Sequence, residues 1–453
     1  MNAIPPRHAG VLLHPSSLPS GRVGEDALRW IDWLADSGFS VWQMLPLGVP
    51  LAGVSPYQCA SAFALNPQLF PEDLPPVRKT NRAFRQWYAT HAGWVDDYAL
   101  FMVIKQRHEC LPWFEWPEPL RRHDAAALAD FRQQNEKAID KQIRQQYQLY
   151  LHWQTLRSYA RERGLILFGD MPLFVAHDSA DVWSHPECFL LDEKGQPTLV
   201  AGVPPDYFSM TGQRWGNPQY DWNQLQQDDF SWWQDRLRYN FECFDWMRLD
   251  HFRGLAASWM IPADSATAVD GYWQTVPGEA LLAAIEAQLG HVKLVAEDLG
   301  VITPDVNALR NKFDLPGMSV LQFAFDAYAD NPHKPQNVME DRVFYTGTHD
   351  NNTSMGWFDS LDMATQAVVL AVLGVRNRVD VVPAMIATVL SSRARLAMIP
   401  MQDLLQLGSE ARMNTPGTVD GNWCWRFDWT QVPDTLSVEM RKKLNETGRI
   451  GHA

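Results

Sequence analysis

Acidic residues recur just past short apolar runs in this 453-residue chain: Asp170, Asp250, Glu297 with Asp298, Asp350 and Asp403. A strand buried on both faces cannot hold ionised carboxylates in its middle, but its carboxyl end opens onto a mouth where such groups find water or substrate. One isolated acid in such a position is ordinarily a helix N-cap or half of a surface ion pair. The recurrence argues instead for several acids converging on one cleft. Two chemistries suit carboxylates without a His/Cys ligand set: divalent-cation binding through oxygen ligands, or glycosyl transfer by paired acids. In the second, one carboxylate attacks an anomeric carbon while the other, kept protonated, donates to the leaving oxygen. Retention of configuration needs the two groups ~5 Å apart. Arg248, two residues before Asp250, would hold Asp250 ionised, and like charge with burial would raise Glu297.

Eight apolar or β-branched runs of strand length precede these acids or punctuate the chain: 10-GVLLH, 39-FSVWQMLPL, 164-GLILFGDMP, 244-FDWMRLD, 292-VKLVAEDLG, 317-GMSVLQFAF, 342-RVFYTGTHD and 394-ARLAMIPMQD. Amphipathic stretches lie between them; over 25–37 the expected core face is Leu28, Ile31, Leu34 and Ala35, and 144–163 and 279–289 read the same way. Strand and helix in alternation predict parallel pairing with right-handed crossovers, and eight strands without a Gly-rich phosphate turn predict a TIM (β/α)8 barrel, an α/β fold. Two connections exceed a simple crossover. Residues 49–143, after strand 2, are expected to form an inserted, mainly helical subdomain, and 172–224, after strand 3, long loops over one barrel mouth. The whole chain is then one catalytic barrel domain with these insertions.

Composition narrows the partners. A formal charge of −14 disfavours nucleic acid and anionic membrane, which reward clustered Lys and Arg. Twenty Trp and 12% aromatics suit the apolar faces of sugar rings, although most Trp residues belong in a core. The five cysteines are scattered with no CxxC spacing, so neither a disulfide framework nor a zinc site is implied. No signal-like h-region and no 18-residue apolar run are present, which predicts a cytoplasmic protein. His177 and His251 sit beside acids, but without HxH or HxxxH spacing the expectation is no metal and no cofactor. Met398 and Met401 are expected in the barrel interior.

The runs 169-GDMPLFVAHDSADVW, 244-FDWMRLDHFRG, 296-AEDLG and 347-GTHDNNT resemble the four signature regions of the α-amylase superfamily, in order. More specifically, 53-GVSPYQCASAFALNPQLF, 201-AGVPPDYFSMTGQRWGNPQYDWN and 401-MQDLLQLGSEARMNTPGTVDGNW resemble the 4-α-glucanotransferases, or amylomaltases, of glycoside hydrolase family seventy-seven. The resemblance covers nearly the whole chain. It implies Asp250 as nucleophile held by Arg248, Glu297 as general acid/base, and Asp350 with His349 gripping sugar hydroxyls in the strained −1 subsite. It further implies that Asp170 shapes that subsite, that Tyr57, Trp215 and Phe323 line the glucan path, and that His177 makes polar contacts. The partners implied are α-1,4-glucan and maltooligosaccharide donors with glucose or maltooligosaccharide acceptors. An α-glucan hydrolase on the same scaffold, and a glucan-binding protein without catalysis, share most of these features. The chain departs from the family at AGVSPYQ, where GGDSPYQ is usual, and at Cys59, where Ser is common. The aromatics of PPDYF and WGNPQYDW fall in Pro-rich chain, which favours a cleft over a core.

Overall fold

Each of the eight expected runs forms a strand in the computed structural model, which describes residues 7–51, 53–205, 209–418 and 420–451. They are β1 (His8–Leu12), β2 (Val41–Gln43), β3 (Ile166–Met171), β4 (Trp246–Leu249), β5 (Leu294–Ala296), β6 (Gly317–Val320), β7 (Arg342–Tyr345) and β8 (Leu396–Pro400). All pair in parallel, in the order β6-β7-β8-β1-β2-β3-β4-β5, and helices fill most crossovers. The barrel is nearly closed. Across the seam between β5 and β6 the Ala296 amide donates to the Pro316 carbonyl at 2.8 Å, and Asp298 accepts from the Met318 amide at 2.7 Å and from Arg342 at 2.7 Å. Asp298 therefore staples the seam instead of facing the mouth, as the sequence pattern alone had grouped it.

Alternation along the strands fills the interior. Phe168, Trp246, Val295, Val343, Tyr345, Leu396 and Met398 pack together inside the barrel, while their neighbours face the surrounding helices. Met401, expected inside, packs in the outer layer between barrel and helices. The helix Glu25–Asp36 buries Ala27, Trp30, Ile31 and Leu34. Leu28, expected on that face, is 38% exposed, because the i, i+3, i+4, i+7 set begins one residue earlier at Ala27.

Between β2 and β3 run two long helices, Arg82–Arg107, capped by Asn81, and Ala125–Glu162, capped by Asp124 and kinked at Asn135. The second passes through residue 143 and continues to the start of β3. After β3, Leu199–Val203 and Gln213–Pro218 are strands, and with Ala257–Pro262 and Tyr272–Thr275 they make an antiparallel four-stranded sheet. The short, Gly/Pro-rich sequence of 199–218 hides this sheet from periodicity arguments. No helix among the described residues is long and apolar enough to cross a membrane.

At the opposite end, the fully buried Arg449 donates to the carbonyls of His8, Leu390, Ser392, Ala394 and Arg395 at 2.6–3.3 Å. It locks the C-terminal segment onto the entry of β1 and β8. Arg449→Ala is expected to lower the free energy of unfolding in urea by about 3 kcal/mol, since several buried carbonyls lose their donor. Arg449→Lys should recover only part, having three rotatable donors in place of a five-donor fork. An unchanged urea midpoint in the Ala variant would contradict the clasp.

Candidate active site

The period-2 alternation that fills the barrel also delivers the acids. Phe168 points inward, and so does Asp170 two residues on; Trp246 leads to Arg248 and then Asp250, and Val295 leads to Glu297. Pairing aligns Arg248 with Val295 and Leu249 with Ala296, so extending the register places Asp250 beside Glu297. Two backbone bonds carry the ladder upward: Asp250 donates to the Met171 carbonyl and Glu297 to the Leu249 carbonyl, both at 3.0 Å. Adjacent strands lie about 5 Å apart, and that spacing suits a retaining pair of carboxylates.

Arg248, 4% exposed, holds two acids at once. Its Nη1 donates to both oxygens of Asp170 at 2.8 Å, and its Nη2 lies 2.8 Å from Asp250 Oδ1. Asp170 also accepts from the Tyr57 hydroxyl at 2.7 Å. That hydroxyl has one proton, so the contact of 2.8 Å with His349 Nε2 runs the other way, with the imidazole donating. His349 Nε2 also lies 3.3 Å from Asp350 Oδ2, and its ring stacks on Tyr57 at 5.3 Å. Asp170, Arg248, Asp250, Tyr57, His349 and Asp350 thus form one connected cluster, with Glu297 alongside.

The environments push the acids apart. Burial drives Glu297 up to about 7, assisted by the Asp250 charge and opposed by Arg248 and by amide donors from His251 at 2.8 Å and Leu299 at 3.0 Å. Asp350 goes the other way: burial would raise it, but His349 and the Asn414 amide, donating at 2.6 Å, hold it below the usual carboxylate range. For His349, burial lowers and Asp350 raises, with a net rise. Burial takes His251 down to about 4, leaving its imidazole neutral. The His251 backbone sits at φ 51°, a conformation uncommon outside glycine, and this turn aims its amide at Glu297.

Trp215 lies over the same end of the barrel, its ring edge-on to His251 at 4.9 Å and near Phe174. The Tyr57 loop and the Trp215 strand are tied together: Gln58 donates to Asn217 at 2.8 Å, and Asn217 donates to the Val175 carbonyl. Two of the expected residues stand apart from the cluster. His177 stacks on Phe114 at 4.4 Å and bonds the Gly195 carbonyl, and Phe323, 42% exposed, meets His333 edge-on. Tyr207 and Phe208 of PPDYF lie outside the described residues. Asp403 is buried behind the site, accepting from Thr346, from the Ser354 hydroxyl and from the Ser354 amide at 2.6–2.7 Å, so it fixes the loop bearing His349 and Asp350.

Sequence reasoning singled out neither Arg412, which donates to the Asp350 carbonyl, nor Asn414, nor Trp423. Trp423 holds φ 65° and packs against Tyr57 at 5.8 Å and His349 at 6.0 Å. They come from a loop after β8 with no periodicity to mark them. Among the described residues no group of three or more His, Cys, Asp or Glu is arranged to hold a metal ion.

The chain is similar to known proteins over nearly its whole length. A glycoside hydrolase 77 model described as 4-alpha-glucanotransferase matches residues 12–76 and 69–431. A 4-alpha-glucanotransferase of Thermus thermophilus is 43% identical over 491 aligned positions, covering 97% of each chain. A chloroplastic/amyloplastic 4-alpha-glucanotransferase of Arabidopsis thaliana is 41% identical, over 98% of this chain and 86% of that one. Among solved structures, the amylomaltase of Streptococcus agalactiae in complex with acarbose superposes with a TM-score of 0.93 at 32% identity, covering 98% of this chain and all of that one.

Proposed function

The chain belongs to the 4-alpha-glucanotransferase family, glycoside hydrolase family 77, and on that premise we propose that it transfers α-1,4-glucan segments by double displacement through Asp250. The observation carrying this reading is the side-by-side register of Asp250 and Glu297 with Arg248 clamping Asp250. The Asp250 carboxylate attacks C1 of the sugar at the cleavage point. The C1–O bond breaks, its electron pair stays with the departing oxygen, and protonated Glu297 supplies the proton. The 4-hydroxyl of an acceptor then enters, Glu297 takes back its proton, and the new C1–O bond forms as Asp250 leaves. Two inversions retain the α configuration.

Asp350 and His349 are read as gripping the hydroxyls of the sugar being transferred, with Asp170 and Tyr57 shaping its seat. Donors are α-1,4-glucans and maltooligosaccharides, and acceptors are maltooligosaccharides or glucose. Residues 49–143 are read as an inserted, mainly helical subdomain, and the described parts of 172–224 as long active-site loops at the barrel mouth. A cytoplasmic setting is supported by the five unpaired cysteines.

Incubation with maltotriose tests the reading. Glucose together with a ladder of longer chains is the expected outcome, and shorter sugars alone would mean hydrolysis. The joined Tyr57 and Trp215 segments favour transfer, because a covalent intermediate persists only while water is kept out. Trp215→Ala is expected to shift the partition toward hydrolysis by about tenfold, equivalent to about 1.4 kcal/mol between the two acceptors. Unchanged transfer and hydrolysis rates in that variant would remove Trp215 from the cap.

A further inference from the structure

We propose that Asp298 is a positioning residue for Glu297, its carboxylate standing in for the strand pairing that the barrel lacks at its seam; the proposal rests on the reading of Glu297 as acid/base. β4 is laddered on both flanks, to β3 and to β5, so Asp250 rises from a strand held on either side. β5 is laddered to β4 alone, and it forms no ladder with β6. Glu297 therefore follows a strand with one unsupported flank, and whatever holds that flank sets where the acid stands.

In a parallel ladder one residue donates its amide to the neighbouring strand, and the amide two residues further along that strand donates back to its carbonyl. Ala296 supplies the first bond, donating to the Pro316 carbonyl at 2.8 Å. The Met318 amide, which would return the bond, donates instead to Asp298 Oδ1 at 2.7 Å. Asp298 Oδ2 accepts from Arg342 Nη1 at 2.7 Å, and the same nitrogen donates to the Met318 carbonyl at 3.0 Å, so the ion pair holds both backbone polar groups of one β6 residue. Arg310 Nη1 adds a second cation at 3.5 Å, and the Asp298 side chain is 1% exposed. Charge-assisted bonds of this kind are stronger than the neutral ladder bond they replace. The seam also leaves room for them: a Cβ at Gly317 would lie 2.4 Å from Asp298 Oδ2 and 2.5 Å from Arg342 Nη1.

The staple reaches Glu297 through the chain. Successive side chains on extended backbone face opposite ways, so holding Asp298 outward holds Glu297 inward. Glu297 Oε1 accepts from the Leu299 amide at 3.0 Å, which closes 297–299 into a turn with Asp298 at its centre. With the staple released, acid and turn shift together, while the His251 amide that bonds Oε2 stays on the β4 side. A misplacement of about 1 Å costs on the order of 10²-fold in rate. Arg248, Asp170, Tyr57, His349 and Asp350 are joined to one another without β5, so the loss falls on proton transfer and spares sugar binding.

The test compares two donors in the full-length protein. Asp298→Asn keeps an oxygen for the Met318 amide but turns an NH2 group toward Arg342 and Arg310. It should lower kcat for maltotriose disproportionation about 10²-fold with KM within about threefold. Single-turnover release of fluoride from α-maltosyl fluoride, which needs Asp250 but no proton donor, should stay within about threefold of the parent. Arg342→Gln removes the charge, keeps a donor and lies at a less deeply buried position. It should show the same donor dependence with a kcat loss of about tenfold, and it decides the matter if Asp298→Asn does not fold. Equal losses on both donors, or an unchanged kcat in both variants, would overturn the positioning role and leave the transferase reading intact. Absence of any transfer by the parent protein would overturn that reading, and the proposal with it.

Discussion

Asn in place of Asp250 is expected to lower maltotriose disproportionation by about 10⁵-fold, the scale on which enzymes lose turnover when a nucleophile is removed. The change is nearly isosteric, and Arg248 keeps its paired contact with Asp170, so the variant should fold and bind glucan as before. The loss then falls on the chemical step. Asp250→Gly supplemented with azide sharpens the assignment: the anion enters from the face that the carboxylate vacated, and turnover should return with a β-linked glycosyl azide as product. An α-linked azide, or retention of more than a hundredth of the wild-type rate in Asp250→Asn, would move the nucleophile elsewhere, with Asp170 the obvious candidate.

Replacing Glu297 should produce the second large effect, a fall in transfer of about 10³-fold for Glu297→Gln. A donor whose leaving group needs no proton, such as α-maltosyl fluoride, should recover most of the first step. The pH dependence follows from a group raised to about 7. The first step requires the protonated form, so kcat/KM should fall as pH rises through about 7, and the Gln variant should lose that limb. Stability runs with the same sign. A carboxyl raised above its unfolded value contributes stability that is complete below about 4.5 and disappears as pH rises through about 7. Glu297→Gln should therefore be more stable than the parent at pH 8, by at most about 3 kcal/mol. A flat pH profile with full activity in Glu297→Gln would end the acid/base assignment, and a less stable variant at pH 8 would contradict the burial argument.

The same site shows why some expected residues converge and others do not. Asp170, Asp250 and Glu297 each lie two or four residues beyond an inward-facing apolar residue of the same strand, so side-chain alternation alone sends them into the mouth. Asp298 follows Glu297 directly and must point outward, where Arg310 and Arg342 receive it. Asp403 follows the end of β8 but turns into a short helix, Met401–Leu404, and is spent on Thr346 and Ser354.

The sequence by itself determined the eight strands, their parallel order of alternation with helices, and the inward acids, because those depend on burial periodicity within a few residues of chain. The likeness of its long motifs also led to the family. Only the tertiary structure decided that Asp250 and Glu297 are register partners and that Arg248 grips two acids, since register arises between strands far apart in the chain. It alone brought Tyr57, Asn414 and Trp423 to His349 and Asp350 from loops with no periodic signal. Local periodicity fixes which way a side chain faces. Which partners meet it there is set by how distant segments pack.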